Sequence, residues 1–383
     1  MFMTYAGTLT VLRDSWGMSA TAAGSISSAF QLGYAVSLVV FSALADRFGA
    51  RRVFQWSMSA TAVAAVVFAA FARSYVSGIV LYTLVAVSQG GLYTTALVLI
   101  SQRYPPERRG SAVGWFIAST SLGYATSLLL CGVMLPHTGY VGAFVMTAAG
   151  PVLAALFVWP ALRSTTNIVH PVAERLRFSA GVLRNRPAMR NIIGYTGHSW
   201  ELVGMWSWTP AFVAATFAAS GAGFIKSAEL GAYSAASFHA IGVFASSSMG
   251  WLSDRLGSRR LMLVLAGGST VCSFVFGWLL GMPGPIVLAV GALYAFTGIG
   301  DSPILSTVLT RTVRASSLGA ALALRSLLGF GAGAVAPLAF GAVLDATREA
   351  GTPAWNVAFT VLGLGGVVAV WSAWGMPRDR TTS

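Results

Sequence analysis

The sequence predicts an all-α membrane protein: twelve transmembrane helices in two pseudo-symmetric six-helix bundles, the first helix truncated. Three observations predict this fold. Of 383 residues, 56% are hydrophobic and only 9% charged, with a mean hydropathy of +0.72; a soluble domain carries roughly a quarter charged side chains. Apolar runs of about 20 residues, the length that crosses about 30 Å of hydrocarbon, recur from end to end. One charged string also occurs twice, as "LADRFGARR" at 44–52 and "LSDRLGSRR" at 252–260.

Taken in order, the apolar runs fall at 1–12, 20–45, 53–72, 77–101, 110–132 and 140–162, which make an N-terminal bundle over 1–162. A polar stretch at 163–188 carries His170, Pro171 and Pro187 and reads as a linker between bundles. The runs at 189–211, 228–252, 260–280, 286–309, 317–344 and 354–375 make the C-terminal bundle over 189–375, with a short tail at 376–383. Twelve residues of helix rise only about 18 Å, too short to span, so the first helix is expected to begin upstream of Met1. Lys and Arg are divided unequally between the two sides. Nineteen lie in the stretches after even-numbered spans and in the tail, against four in the alternate stretches. By the positive-inside rule the first set, and the C-terminus, are cytoplasmic. That spacing also accounts for the net charge of +13 without nucleic acid, whose binding needs a clustered basic face. The expected location is a bacterial cytoplasmic (inner) membrane, and the expected functional unit is a monomer. Cys131 and Cys272 sit in separate apolar runs and read as small packing residues.

The repeat is more than one string. Asp46 and Asp254 are 208 residues apart, as are Arg47 and Arg255, and Gly49 and Gly257. At a similar offset 88–115 aligns with 297–324, matching Gly91 with Gly300 and Gly110 with Gly319. Two matches in equivalent loops argue for duplicated six-helix halves, a common plan in transporters with a midplane site between the halves. On these two D-R-x-G-x-R-R loops the chain resembles the major facilitator superfamily over essentially its whole length. The family pattern has Gly four residues before the Asp; Gly250 satisfies it, whereas Ser42 replaces it in the first copy. Gly49 and Gly257 suit the tight reversal between two helices. The resemblance implies a cytoplasmic gate in which Asp46, Arg47, Asp254 and Arg255 hold the halves together, with Arg109 and Arg314 as partners.

Ionisable groups inside spans are costly and therefore candidates for function. Glu201 lies about 18 Å into the seventh span, near the midplane, and is the first candidate for carrying a proton. His198, three residues earlier, shares its helical face. Asp301 and Arg325 lie at similar depth in the tenth and eleventh spans and are expected to pair. Either they form a static ion pair, or Arg325 attracts an anionic substrate and Asp301 takes part in coupling. Asp345 and Glu229 fall at helix ends and receive no role. The resemblance implies that helices 1, 4, 7 and 10 line a central cavity. Gln89 and Tyr93 would then contact substrate, joined by Gln31, Tyr34, Tyr124 and Trp200. Embedded charge is confined to the C-terminal half, which suits a small solute with an apolar or hydroxylated body and a carboxylate.

No Gly-Lys phosphate loop, metal cluster or nucleophile–base spacing occurs in the sequence. The chain is therefore expected to be a secondary transporter working by alternating access, with protons and a small organic anion or similar metabolite as partners and no cofactor. A non-transporting sensor or assembly scaffold is the reading from a different class. A drug or metabolite exporter is a third, disfavoured by the lack of a Gly-Pro dipeptide in the fifth span.

Overall fold

The computed structural model describes residues 1–169, 180–313, 318–348 and 354–376, apart from a few side chains within them. Among the described residues all regular structure is helical. In chain order the helices are α1 (Thr4–Ser15), α2 (Ala20–Phe48), α3 (Ala50–Phe71), α4 (Tyr75–Arg103), α5 (Pro106–Ala161), α6 (Ala180–Arg184), α7 (Arg186–Ala219), α8 (Phe224–Leu256), α9 (Ser258–Phe276), α10 (Gly284–Gly300), α11 (Ser302–Thr312), α12 (Leu318–Ala346) and α13 (Trp355–Trp374). Nine stretches among the described residues are long and apolar enough to span, including 44 residues over Ala118–Ala161 and the combined α10–α11. The twelve passes expected from sequence follow from these nine. The long α5 is two passes meeting at Gly139, where φ is 63° and ψ −163°. The serine-rich α8 supplies another pass. The 12-residue α1, too short to span by itself, takes the place of the first pass.

Each half packs around its own aromatic core. Phe30, Phe68, Tyr82 and Phe144 cluster in the N-terminal half, with Tyr82 and Phe30 centroids 4.3 Å apart. In the C-terminal half Phe212, Phe276, Phe340 and Phe359 do the same around Trp208 and Trp355. Such rings bury large apolar area in fixed edge-to-face geometries, which rigidifies each half.

The loop glycines behave as expected, and they behave alike. Gly49 closes α2 and opens α3 with φ 88° and ψ 143°; Gly257 does the same between α8 and α9 with φ 91° and ψ 135°. The Gly49 amide donates to Ala45 (2.8 Å) and the Gly257 amide to Ser253 (3.1 Å), 208 residues later. Only glycine adopts this left-handed region without a steric penalty. The second arginine of each motif also repeats its contact. Arg51 donates to the Thr165 carbonyl (2.8 Å), just past α5, and Arg259 to the Trp374 carbonyl (2.9 Å), at the end of α13. Each loop is thereby tied to the last pass of its own half. Ser42, the departure from the family pattern, donates to Thr94 of α4 at 3.3 Å.

The halves meet through α2 with α12, α5 with α8, and α1 with α7 and α8. The antiparallel α2 and α12 touch most closely near the start of α2. A Cβ on Gly24 would overlap the Pro337 carbonyl oxygen, and one on Gly341 would overlap that of Ala20. Small residues let membrane helices approach backbone to backbone in this way. The α5–α8 contact is at the same end, through Leu128, Leu135, Ala228 and Ala236. Towards the Arg-rich end, Asp46 is exposed and has no ion-pair or hydrogen-bond partner among the described residues.

Candidate functional site

The embedded ionisable groups converge on α7 from three directions. Asp301 lies between α10 and α11. Pro303 has no amide to continue the ladder, so the helix restarts there, with the Leu305 amide donating to the Asp301 carbonyl at 3.0 Å. The Asp301 carboxylate, 2% exposed, lies 2.9 Å from His198 Nδ1. The contact is close but not aligned along the ring N–H, and Oδ1 has no directed hydrogen bond among the described residues. His198 Nε2 in turn lies 2.9 Å from the Ser302 hydroxyl. A carboxylate, an imidazole and a hydroxyl thus share one site, the first two of them buried.

Asp301 therefore does not pair with Arg325. Consecutive spans need not be neighbours, and in this bundle α7 stands between them: α10 and α11 pack on α7, α8 and α9, whereas α12 packs on α2, α7 and α13. Arg325 instead lies half-buried over the Tyr195 ring, 3.8 Å from its centroid. It has no carboxylate or hydrogen-bond partner among the described residues. Tyr195 sits one helical turn from His198, with ring centroids 5.8 Å apart. Tyr34 of α2 and Tyr93 of α4 lie within electrostatic reach of Tyr195, and Tyr93 within reach of Arg325. A half-buried guanidinium stacked on one phenol and within electrostatic reach of a second, from the other half, can bind an anion.

Glu201 is at mid-depth as expected, but it faces away from the space between the halves. Its carboxylate accepts from Ser269 of α9 (2.9 Å), and Gly366 of α13 closes on the other oxygen. It belongs to the interior of the C-terminal bundle. Trp200 donates to the Val361 carbonyl of α13 at 3.0 Å and holds two helices of one half together.

The other expected contact residues divide by environment. Tyr124 stacks on Phe2 (4.8 Å) and packs edge-on to Trp206 (5.7 Å) and His239 (5.6 Å). Tyr34 bridges Phe2 and the C-terminal half's Phe330, at 6.0 and 5.9 Å. Gln31 is buried beside a small cavity shared with Trp206 and Ser207 of the opposite half. Gln89 is half-buried and Tyr93 is 40% exposed, near Phe116. Sequence reasoning missed Tyr195 and Ser302, which have no periodic signal of their own. It also missed the uncapped buried Trp206 Nε1 and Thr209 Oγ1. Of the expected gate, Arg47 lies over Phe48 (5.3 Å) and Arg255 over Trp251 (3.9 Å), each within its own half. Arg314 lies outside the described residues, as do the side chains of Arg109 and Asp254.

This arrangement is that of a helical membrane protein whose two halves bring polar and aromatic side chains together. Consistent with it, the profile of the Major Facilitator Superfamily matches residues 1–337, and the chain belongs to that family. It is an integral, multi-pass membrane protein. The chain is 22% identical to the putative niacin/nicotinamide transporter NiaP of Bacillus subtilis over 94% of this chain and 88% of that one. It is 31% identical to the probable anion transporter 3, chloroplastic, of Arabidopsis thaliana over 36% of this chain and 27% of that protein. The matched segments of the first curated relatives span between 27% and 42% of those proteins' lengths. In fold the chain is similar to a crystal structure of a bacterial homolog of the human lysosomal transporter Spinster, in an inward-facing and occupied conformation. That likeness has a TM-score of 0.73 at 17% identity, covering 97% of this chain and 92% of that one.

Proposed function

We propose that this protein carries a small organic anion across the membrane by alternating access, coupled to protons. The observation that carries the reading is Arg325: a half-buried guanidinium, stacked on Tyr195, with no anionic partner among the described residues. An unpaired cation inside a membrane protein is costly, and an anionic substrate would supply the missing charge. The relatives named as anion and niacin transporters support the same chemistry. The coupling proton is assigned to the His198–Asp301 pair, which lies one turn of α7 from Tyr195 and hence beside the anion site. Glu201 is a second, more remote proton site within the C-terminal bundle. In this reading residues 1–162 and 189–375 rock against each other about the linker at 163–188. The Arg-rich end faces the cytoplasm with the C-terminus, and the contacts at the other end make this an inward-open state.

Uptake into proteoliposomes tests the assignment, with radiolabelled nicotinate and glucuronate as probes and a pH gradient imposed. Arg325→Gln is expected to lower the rate at least ~10-fold, the loss of one buried charge-assisted contact. Asp301→Asn is expected to abolish gradient-driven accumulation while leaving solute exchange. If Arg325→Gln transports like the wild type, the anion reading fails. If Asp301→Asn still accumulates solute against its gradient, the proton assignment fails.

A further inference from the structure

Asp345, near the end of α12, is where the two halves are joined most directly. Its Oδ1 accepts from the Ala20 amide (2.9 Å), and its Oδ2 accepts from the Thr21 amide (2.7 Å) and the Thr21 hydroxyl (2.6 Å). These are the first two amides of α2, which an α-helix leaves without internal partners. The next one, Ala22, is capped from within α2's own half by Ser19 (3.1 Å). The start of α2 is therefore capped partly by its own half and partly by the other.

Two features separate this contact from ordinary helix capping. A carboxylate at the C-terminal end of a helix is opposed by that helix's dipole, so Asp345 is misplaced for α12 and well placed for α2. It is also half-buried rather than sealed, so its bonds can be exchanged for water when the halves part. The backbone contacts at Gly24 and Gly341 flank it and set the distance at which it reaches. At the other end of the same helix pair Asp46 is exposed and has no partner among the described residues.

We infer that Asp345 is a latch: by capping the N-terminus of α2 it holds this end of the transporter shut, and its release accompanies opening there. The inference rests on the alternating-access reading above but names a residue and a contact that reading does not use. Arg13 at the end of α1, in the same half as α2, also lies within electrostatic reach of Asp345.

Spin-label distances on the full chain in lipid nanodiscs test it. Val76→Cys with Phe224→Cys reports the latched end, and Tyr104→Cys with Leu256→Cys reports the Arg-rich end. All four positions are exposed, while the native Cys131 and Cys272 are buried. Asp345→Asn is expected to move the population at least about five-fold toward separation at the latched end, with matching approach at the Arg-rich end. Thr21→Val, which removes one of the three bonds, is expected to shift both pairs the same way by less. Unchanged distributions at both ends in both variants would overturn the latch. So would separation at the latched end alone, which would mark local fraying. Should Asp345→Asn fail to fold, the Thr21→Val result decides by the same criterion. A reciprocal shift in a protein that moves no solute would leave the latch standing and overturn the transport reading.

Discussion

The two ends of the α2–α12 pair are built on different principles. At the start of α2 the halves meet main chain to main chain, through Gly24 on Pro337, Gly341 on Ala20, and a carboxylate on exposed amides. At the Arg-rich end, two motif arginines bond within their own half: Arg51 to Thr165 and Arg259 to Trp374. In the proposed alternating access the first set of contacts breaks when that end opens. The bonds of Arg51 and Arg259 each lie within one half and stiffen it. A charged loop and a glycine-rich helix thus divide the work of stiffening and gating.

Substitutions at the two ends should separate these roles. The largest effect is expected for Gly24→Val. The new side chain cannot fit against the Pro337 carbonyl, and overpacking of this kind costs about 1–3 kcal/mol. Because the halves can part to relieve it, the cost should appear as separation at that end in the spin-label distances. A lowered melting temperature without separation would mean the two ends are not built as described. An intermediate effect is expected for Gly49→Ala, at about 1 kcal/mol for a side chain at positive φ. It should lower the melting temperature by a few degrees without changing the end-to-end distances. Gly257→Ala shares the backbone penalty, while Gly49→Ala also displaces the Asn167 side chain and should cost more. The smallest effect is expected for Arg51→Ala, within about 0.5 kcal/mol for a surface contact. Trypsin cleavage in the linker should then become faster, because Thr165 loses its tether.

Much of this was legible in the residues. The passes followed from hydropathy, and Gly49 and Gly257 were legible as turns because a left-handed residue between two helices leaves little choice but glycine. The positions of Glu201, Asp301 and Arg325 along their helices could be counted from the sequence. Which way those side chains point could not. The Asp301–Arg325 pair was expected because adjacency in sequence was taken for adjacency in space, and α7 lies between them. Asp345 received no role because a carboxylate at a helix end is unremarkable until the neighbouring helix is known.

The sequence by itself determined the membrane class, the duplicated halves, the turn glycines and the confinement of embedded charge to the C-terminal half. These follow from hydropathy, period and backbone sterics, which act within a few residues of each other. Only the tertiary structure decided that His198 is the partner of Asp301, that Arg325 rests on Tyr195, and that Asp345 caps a helix more than 300 residues away. Those choices depend on which helix faces are brought together, and packing between distant segments is not encoded in any local pattern.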